Sequence, residues 1–415
     1  MTKEQLLKEG VLAKFLRYVQ IDSPSLPGQT TTPSTPEQLV IAKVLCEELQ
    51  TLGLNDAKVD EYGFVTATLP GSVTGCPVVS FLAHVDTVPG VPGRGVRPLV
   101  HENYDGGDIK LPNGEVLSPV AFPKLLEAKG HTIVTTDGST LLGADDKAGV
   151  AEIMEAICYL LQHPEIKHGP IKIAFTPDEE VGSGIDNFNV ETFGADVGYT
   201  LDGGTYGGMQ DETFNADNFL ITITGVSSHT GSARNAMINA VHLLGEFVGA
   251  IPANMRPETT DGMLGFIHPD AVQGSFERVE FKVFARDFTS DGLAKKGEIL
   301  ASLAEDIMRR YPGSKVEIER TGGYRNMKEI LKDRPKVVQI AQEAIRRTGT
   351  EPIMQQVRGG TDGSQLTFMG LPTPNLFTGG ANAHSRLEWA SVEWMEKAVE
   401  MIIHMAQLWA EETKA

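Results

Sequence analysis

Cysteine is scarce in this chain of 415 residues: Cys46, Cys76 and Cys158 are odd in number, scattered, and form no CxxC pair. That argues against a disulfide framework and against a thiolate zinc site, and points to a reducing, cytoplasmic setting. Long apolar runs are missing as well. No stretch approaches the ~20 apolar residues that a membrane span requires. The first twenty residues, MTKEQLLKEGVLAKFLRYVQ, carry charges throughout and place Leu12, Phe15, Leu16 and Val19 on one helical face, which makes a poor signal peptide. Positive charge is in deficit, with 36 Lys and Arg against 55 Asp and Glu and a formal net charge of -19. Such a balance repels nucleic acid and anionic membrane, excludes both as expected partners, and suits a cation-binding pocket. Neither GxSxG nor GxxxxGK(S/T) occurs, and GGTYGG (203–208) fails the dinucleotide spacing, so a serine hydrolase and a nucleotide enzyme both lose support.

At about 150 residues per domain, the length predicts two or three domains with sizeable cores. Thr35-Pro36-Glu37-Gln38 reads as a capping box with proline at the first helical position, opening a helix that stops at Gly53. PVVSFLAH (77–84) is a continuous β-branched and aromatic run, the pattern of a strand buried on both faces of a parallel sheet. A helix over 149–162 ended by Pro164, then strands IKIAFT (171–176) and VGYTL (197–201), continue an α/β alternation. After residue 210 the style changes. Strand FLITITG, a helix over 235–251, strand RVEFKVFARDF, a helix over 292–311 and strand KVEIE suggest a separate α+β layer. From Tyr324 the first style returns. The expected architecture is therefore a discontinuous, mostly parallel α/β catalytic domain (1–214 and 324–415) with an inserted α+β domain over 215–323.

In open α/β sheets, ligands collect beyond the carboxyl ends of the strands. His84 and Asp86 in AHVDT follow one strand, and a spacing of two puts both side chains on the same face of extended chain. LLGADDKAG places Asp145 and Asp146 at a turn opening a helix. FTPDEEVG and YTLDGG end strands at Glu179/Glu180 and Asp202, and FTGGANAHS brings His384 after the last strand. Two histidines with several carboxylates and no cysteine suit zinc or another first-row divalent ion such as cobalt or manganese. They exceed one tetrahedral ion with an open position, but with one bridging carboxylate they serve two ions about 3.5 to 4 Å apart.

Like charges side by side at a strand end, as in Asp178-Glu179-Glu180, usually have a cation or proton nearby, although adjacent glutamates are more often a solvated loop. Neighbours in a strand point to opposite sides, so as the chain turns at its end one of Glu179 and Glu180 faces the metal and the other reaches a water, and spacing alone does not say which. Each feature also has a bland reading. His-x-Asp is common, Asp145 and Asp146 could simply cap a helix, and Asp202 before two glycines could be an Asx turn. Convergence of the strand ends is what favours the metal. His229 in GVSSHTG is either a functional loop residue or a solvated imidazole.

AHVDT, LLGADDKAG, FTPDEEVG, YTLDGG, RGGTDGSQLTFMGLP and NLFTGGANAH together resemble the peptidase T family. These are tripeptide aminopeptidases among the co-catalytic zinc exopeptidases, a group that also holds aminoacylases and carboxypeptidases. The resemblance spans essentially the whole chain. It implies a zinc-exopeptidase catalytic domain with a ferredoxin-like lid that also serves as a dimer surface, and two zinc ions per subunit. Asp145 would bridge, His84 and Asp202 would complete one ion, and Glu180 and His384 the other. Glu179 becomes the general base, Asp86 orients the His84 imidazole, His229 helps stabilise the oxyanion, and the Asp145–Asp146 peptide is cis. Arg358, or Arg286, would pair with the terminal carboxylate of a small peptide substrate, with Asn239 contacting the peptide from the lid. HTG at 229–231 in place of HPG, and Ser385 in place of glycine, depart from the pattern and bear on loop stiffness rather than on ligands. The alternatives are an N-acyl-amino-acid deacylase, a dipeptidase, or a noncatalytic peptide-binding relative.

Overall fold

A run of β-branched and aromatic residues is stable only where both faces of its sheet are covered, and every residue of the strand Val79–His84 is buried. The computed structural model describes residues 2–413. Val79–His84 pairs in parallel with Ile171–Thr176 on one side and Val197–Gly203 on the other. Val197–Gly203 in turn pairs in parallel with Asn375–Phe377. Antiparallel strands flank this centre, Val65–Leu69 beside Ile171–Thr176 and Gly208–Thr213 beside Asn375–Phe377. The parallel strands consequently present their carboxyl ends along one edge, where side chains from different loops meet.

The helices Lys3–Tyr18, Ala144–Gln162, Pro335–Arg347 and Val392–Ala410 bury their apolar faces in the same core as the central strands, among Phe15, Phe81, Phe175, Tyr199 and Trp409. The first helix buries Leu7, Val11, Phe15 and Tyr18, and Leu12 and Leu16 pack at the margin of that face. A smaller antiparallel sheet joins Leu99–His101, Ile133–Thr135, Trp389–Ser391 and Gly380–Ala381. Strands of two or three residues carry too few positions to show a period, so nothing in the sequence announced them.

The expected capping box at Thr35 does not form. The helix begins at Gln38 with no side-chain cap bond. Thr35 Oγ1 donates instead to the Pro24 carbonyl (2.5 Å), and the Gln38 amide donates to the Asp178 carboxylate (2.7 Å). A carbonyl in the preceding loop and a buried acid on a distant one have taken the polar groups that would otherwise cap the helix locally.

The chain divides into two compact units. The one just described runs to Asp211 and resumes over Ile330–Gln355 and from Thr361 onward; the other comprises Glu212–Glu329 with Gln356–Gly360. In the second unit, Asn215–Thr224 pairs antiparallel with Arg278–Asp287 and with Lys315–Gly322, and Phe266–Gly274 pairs with Arg278–Asp287 at the sheet edge. With helices Ala240–Gly249 and Ser290–Arg310 the order is βαββαβ, the ferredoxin-like arrangement. The edge strand escaped the sequence reading because its last residues are exposed and do not alternate. The helix expected from residue 235 starts only at Ala240, where the Asn239 side chain caps it by accepting from the Val241 N–H (2.9 Å). Phe247 is fully buried here and meets Phe281 edge-on at 5.5 Å. Phe247→Ala is expected to destabilise the second unit by about 3–5 kcal/mol, read as a lowered urea midpoint in equilibrium unfolding followed by circular dichroism.

Candidate metal centre

The strand Val79–His84 ends by placing the His84 imidazole, 3 % exposed, at the carboxyl edge of the sheet. Its Nδ1 lies 3.0 Å from the Asp86 carbonyl oxygen and 3.3 Å from Asp86 Oδ1. With a proton on Nδ1 shared by these acceptors, Nε2 keeps its lone pair for a ligand. Nε2 faces Asp145 Oδ1 at 3.0 Å and Asp202 Oδ1 at 3.8 Å. The other oxygen of Asp145, Oδ2, faces His384 Nε2 at 3.1 Å, and that nitrogen also lies 2.8 Å from Glu180 Oε1. His84, Asp145 and Asp202 thus form one trio and Asp145, Glu180 and His384 a second, with the ligand atoms of each within 4.8 Å of one another. Asp145 belongs to both. The Asp145–Asp146 peptide is cis.

An imidazole nitrogen aimed at a carboxylate oxygen requires a proton or a metal cation between them. The titration tendencies say the same. Burial disfavours the imidazolium of His84, yet hydrogen bonds to Asp145 and Asp86 and the charge of Asp202 outweigh it and hold its pKa well above the ordinary value. Hydrogen bonds to Asp145 and Glu180 raise His384 to about 10. Burial, and then the charges of Asp145 and Asp146, push Asp202 well up. Nitrogen and oxygen donors without thiolate, split between two pockets that share one carboxylate, fit a pair of first-row divalent ions.

FTPDEEVG turns sharply at the end of its strand. Asp178 takes a left-handed conformation (φ 57°), and Glu179–Val181 form one turn of 3-10 helix. Asp178 turns away from the centre: its carboxylate accepts from the Ser34 N–H (2.7 Å), the Ser34 hydroxyl and the Gln38 amide. Asp86, fully buried, accepts from the Glu179 N–H at Oδ1 (3.0 Å) and the Glu180 N–H at Oδ2 (3.2 Å). The same acid therefore faces His84 and aims both glutamates. Burial raises the Glu179 carboxyl well above its usual range, and the charge of His84 opposes that while those of Asp202, Asp362 and Asp86 add to it.

Residues 134–408 match the model of peptidase family M20/M25/M40. The chain belongs to that family. Among curated proteins, the peptidase T of Desulfitobacterium hafniense (strain Y51) is 48% identical over 407 residues, covering 97% of this chain and 99% of that one. Among solved structures, aminopeptidase PepT from Bacillus cereus superposes with a TM-score of 0.77 at 24% identity, over 97% of this chain and 99% of that one. The Bacillus subtilis YXEP protein, described as a dinuclear metal binding peptidase of the M20 family, gives a TM-score of 0.65 at 17% identity, over 97% and 98%.

For an M20 peptidase, several residues around the centre carry more than their motifs announced. Asp362 in RGGTDG is buried and accepts from the Thr176 hydroxyl (2.9 Å), and burial lifts its carboxyl to about 7. Lys147 reaches the Ile21 carbonyl (2.6 Å), its pKa lowered by burial to about 8. An acid two residues after a glycine pair was the available signal for Asp362; nothing in the sequence pointed to the partner of Lys147.

The remaining expected site residues belong to the second unit. Arg358 donates to the carbonyls of Gly262 and Leu264 (2.7 Å each) and to Thr260, with its guanidinium over the rings of Phe214 and Phe266. Arg286 donates to Asn218 Oδ1 (3.0 Å) and lies over Phe284 and Tyr324. Asn239 caps its helix, as described above. His229 is exposed, and its Nδ1 accepts from the Gly231 N–H (3.1 Å), which leaves Nε2 as the protonated nitrogen.

In the metal-free protein, the raised pKa of His384 makes it an imidazolium at neutral pH. Because its folded pKa lies above the unfolded value, the resulting stability is fully present below pH about 6.5 and is lost as pH rises through about 10. Loading with divalent ions at pH 8 is therefore expected to release protons from the histidine pair. An indicator dye in weakly buffered solution measures the release.

Proposed function

We propose that this chain is a two-zinc tripeptide aminopeptidase, acting on small peptides in the cytoplasm. The observation that carries the reading is Asp145, whose two oxygens each face the Nε2 of a different histidine. The near-full-length likeness to peptidase T supports the substrate class. Cys46, Cys76 and Cys158 are all free, which suits a reducing compartment, and no helix among the described residues is long and apolar enough to cross a membrane.

Divalent ions held by His84, Asp145 and Asp202, and by Asp145, Glu180 and His384, would polarise a peptide carbonyl and lower the pKa of a water toward neutrality. Glu179 then accepts the proton of the attacking water and delivers it to the leaving amine. One feature supports this role: the Glu179 main chain is anchored to Asp86, so the side chain is poised rather than free; the carboxyl that burial raises in the metal-free protein would ionise beside bound cations. Asp86 keeps His84 in the tautomer that presents Nε2. His229, with Nε2–H unclaimed by its own loop, is a donor of the kind an oxyanion requires, worth about 2.7–4 kcal/mol in comparable sites. Arg358 and Arg286 are the cations for a substrate carboxylate; each would exchange carbonyl or amide partners for it. Pairing of two copies through the second unit belongs to the same reading, supported by the exposed end of its edge strand Phe266–Gly274.

Glu179→Gln is expected to reduce kcat at least 10²–10⁴-fold while elemental analysis still finds two metal equivalents. Loss of metal in that variant would remove Glu179 from the role of base. A chelator is expected to abolish hydrolysis of free tripeptides, and zinc to restore it. In a panel of di-, tri- and tetrapeptides and N-acetylated amino acids, preference for the acetylated compounds would replace the aminopeptidase with a deacylase.

A further inference from the structure

Glu388 lies four residues after His384 and is 1 % exposed. Its Oε2 accepts from the main-chain N–H of Leu142 (2.8 Å) and of Gly143 (2.7 Å), and its Oε1 from that of Asp145 (2.9 Å). These donors lead into the helix Ala144–Gln162, whose N-cap residue is Gly143, with no side chain to cap with. Gly143 has φ 79°, and a left-handed residue at that point turns successive N–H groups toward one centre, as in an anion-binding nest. The chain fills that nest with its own carboxylate. A carboxylate offers about four lone-pair sites, so three donors nearly saturate it and hold it in one pose.

The other end of the connection is equally fixed. Between His384 and Glu388, the Leu387 N–H donates to Ser385 Oγ (3.0 Å) and the Glu388 N–H to the Ser385 carbonyl (3.2 Å), and Asn382 Nδ2 donates to the Leu387 carbonyl (2.8 Å). Trp389–Ser391 then pairs with both Gly380–Ala381 and Ile133–Thr135. Ser385, which departs from the glycine of the resembled pattern, thus supplies the hydroxyl that braces this turn.

Resting on the reading that Asp145 bridges two divalent ions, we propose that Glu388 is a positioning residue that sets the spacing of the pair. By gripping the turn that carries Asp145 from the turn that carries His384, it fixes the bridging carboxylate relative to the second imidazole. It touches neither substrate nor reacting atoms.

The test is zinc binding to metal-free protein, titrated in competition with a chromophoric chelator, for the wild type and for Glu388→Gln, Glu388→Asp and Glu396→Gln. In the glutamine variant an amide NH2 replaces one oxygen and faces main-chain donors, so the clamp opens. Glu396 serves as the control: it is an equally buried acid paired with Lys397 (3.3 Å), outside the machinery described above. The wild type should take up two equivalents, and Glu388→Gln should bind zinc about 10–100-fold more weakly. Glu388→Asp, one methylene short but still charged, should fall between them, and Glu396→Gln should match the wild type. Urea midpoints of the metal-free proteins show whether a variant has folded, and Glu388→Asp carries the test if Glu388→Gln does not. Wild-type zinc affinity in the folded Glu388 variants, or an equal loss in Glu396→Gln, would overturn the clamp. A wild type that binds fewer than two ions would instead overturn the dinuclear reading beneath it, and the clamp with it.

Discussion

Around Asp145 the fold gathers negative charge whose nearest counter-charges are imidazoles. The ion pairs of Asp145, Glu180 and Asp202 run to His84 and His384. Asp86, Asp146 and Glu179 crowd the same sheet edge, and burial drives Asp146 and Glu179 toward their protonated forms. Carboxylates removed from water at such density hold their charge only against cations. The rest of the unit is organised around that requirement: two histidines aimed at opposite oxygens of one aspartate, and donor sets free of thiolate.

The backbone makes this crowding tolerable. Main-chain N–H groups are fixed partial positive charges, and several are aimed at buried acids of the loops around the centre. Asp86 receives those of Glu179 and Glu180, Glu388 those of Leu142, Gly143 and Asp145, and Asp178 that of Ser34. Each of these bonds joins a loop to one distant in sequence, so these acids lock together separate loops, among them those that carry the candidate ligands. The buried helix Ala144–Gln162 and the all-buried strand Val79–His84 provide the rigid ground beneath them.

Much of the frame was legible in the sequence because its signals are local. A continuous apolar strand, acidic and imidazole groups at strand ends, and a change of style after residue 210 each follow from composition over a few residues. The paired strands Val79–His84, Ile171–Thr176 and Val197–Gly203 answer to the runs that announced them. The failures have equally local causes. The capping box at Thr35 dissolved because Asp178, more than a hundred residues away, claims Gln38. The turn expected at Glu179 and Glu180 is there, but its form, a 3-10 turn entered through Asp178 at φ 57°, was not written in the spacing. The short strands around Trp389 carried no period to detect.

By itself the sequence determined the donor types, the absence of thiolate, and which strand ends would carry them, because residue identity and apolar patterning are written along the chain. Tertiary structure alone decided which oxygen of Asp145 faces which histidine, that Asp178 would anchor a loop while Glu179 and Glu180 turn inward, and that Glu388 would hold the turn of Asp145. Those choices depend on distances between segments that only packing brings together, and no window of residues records them.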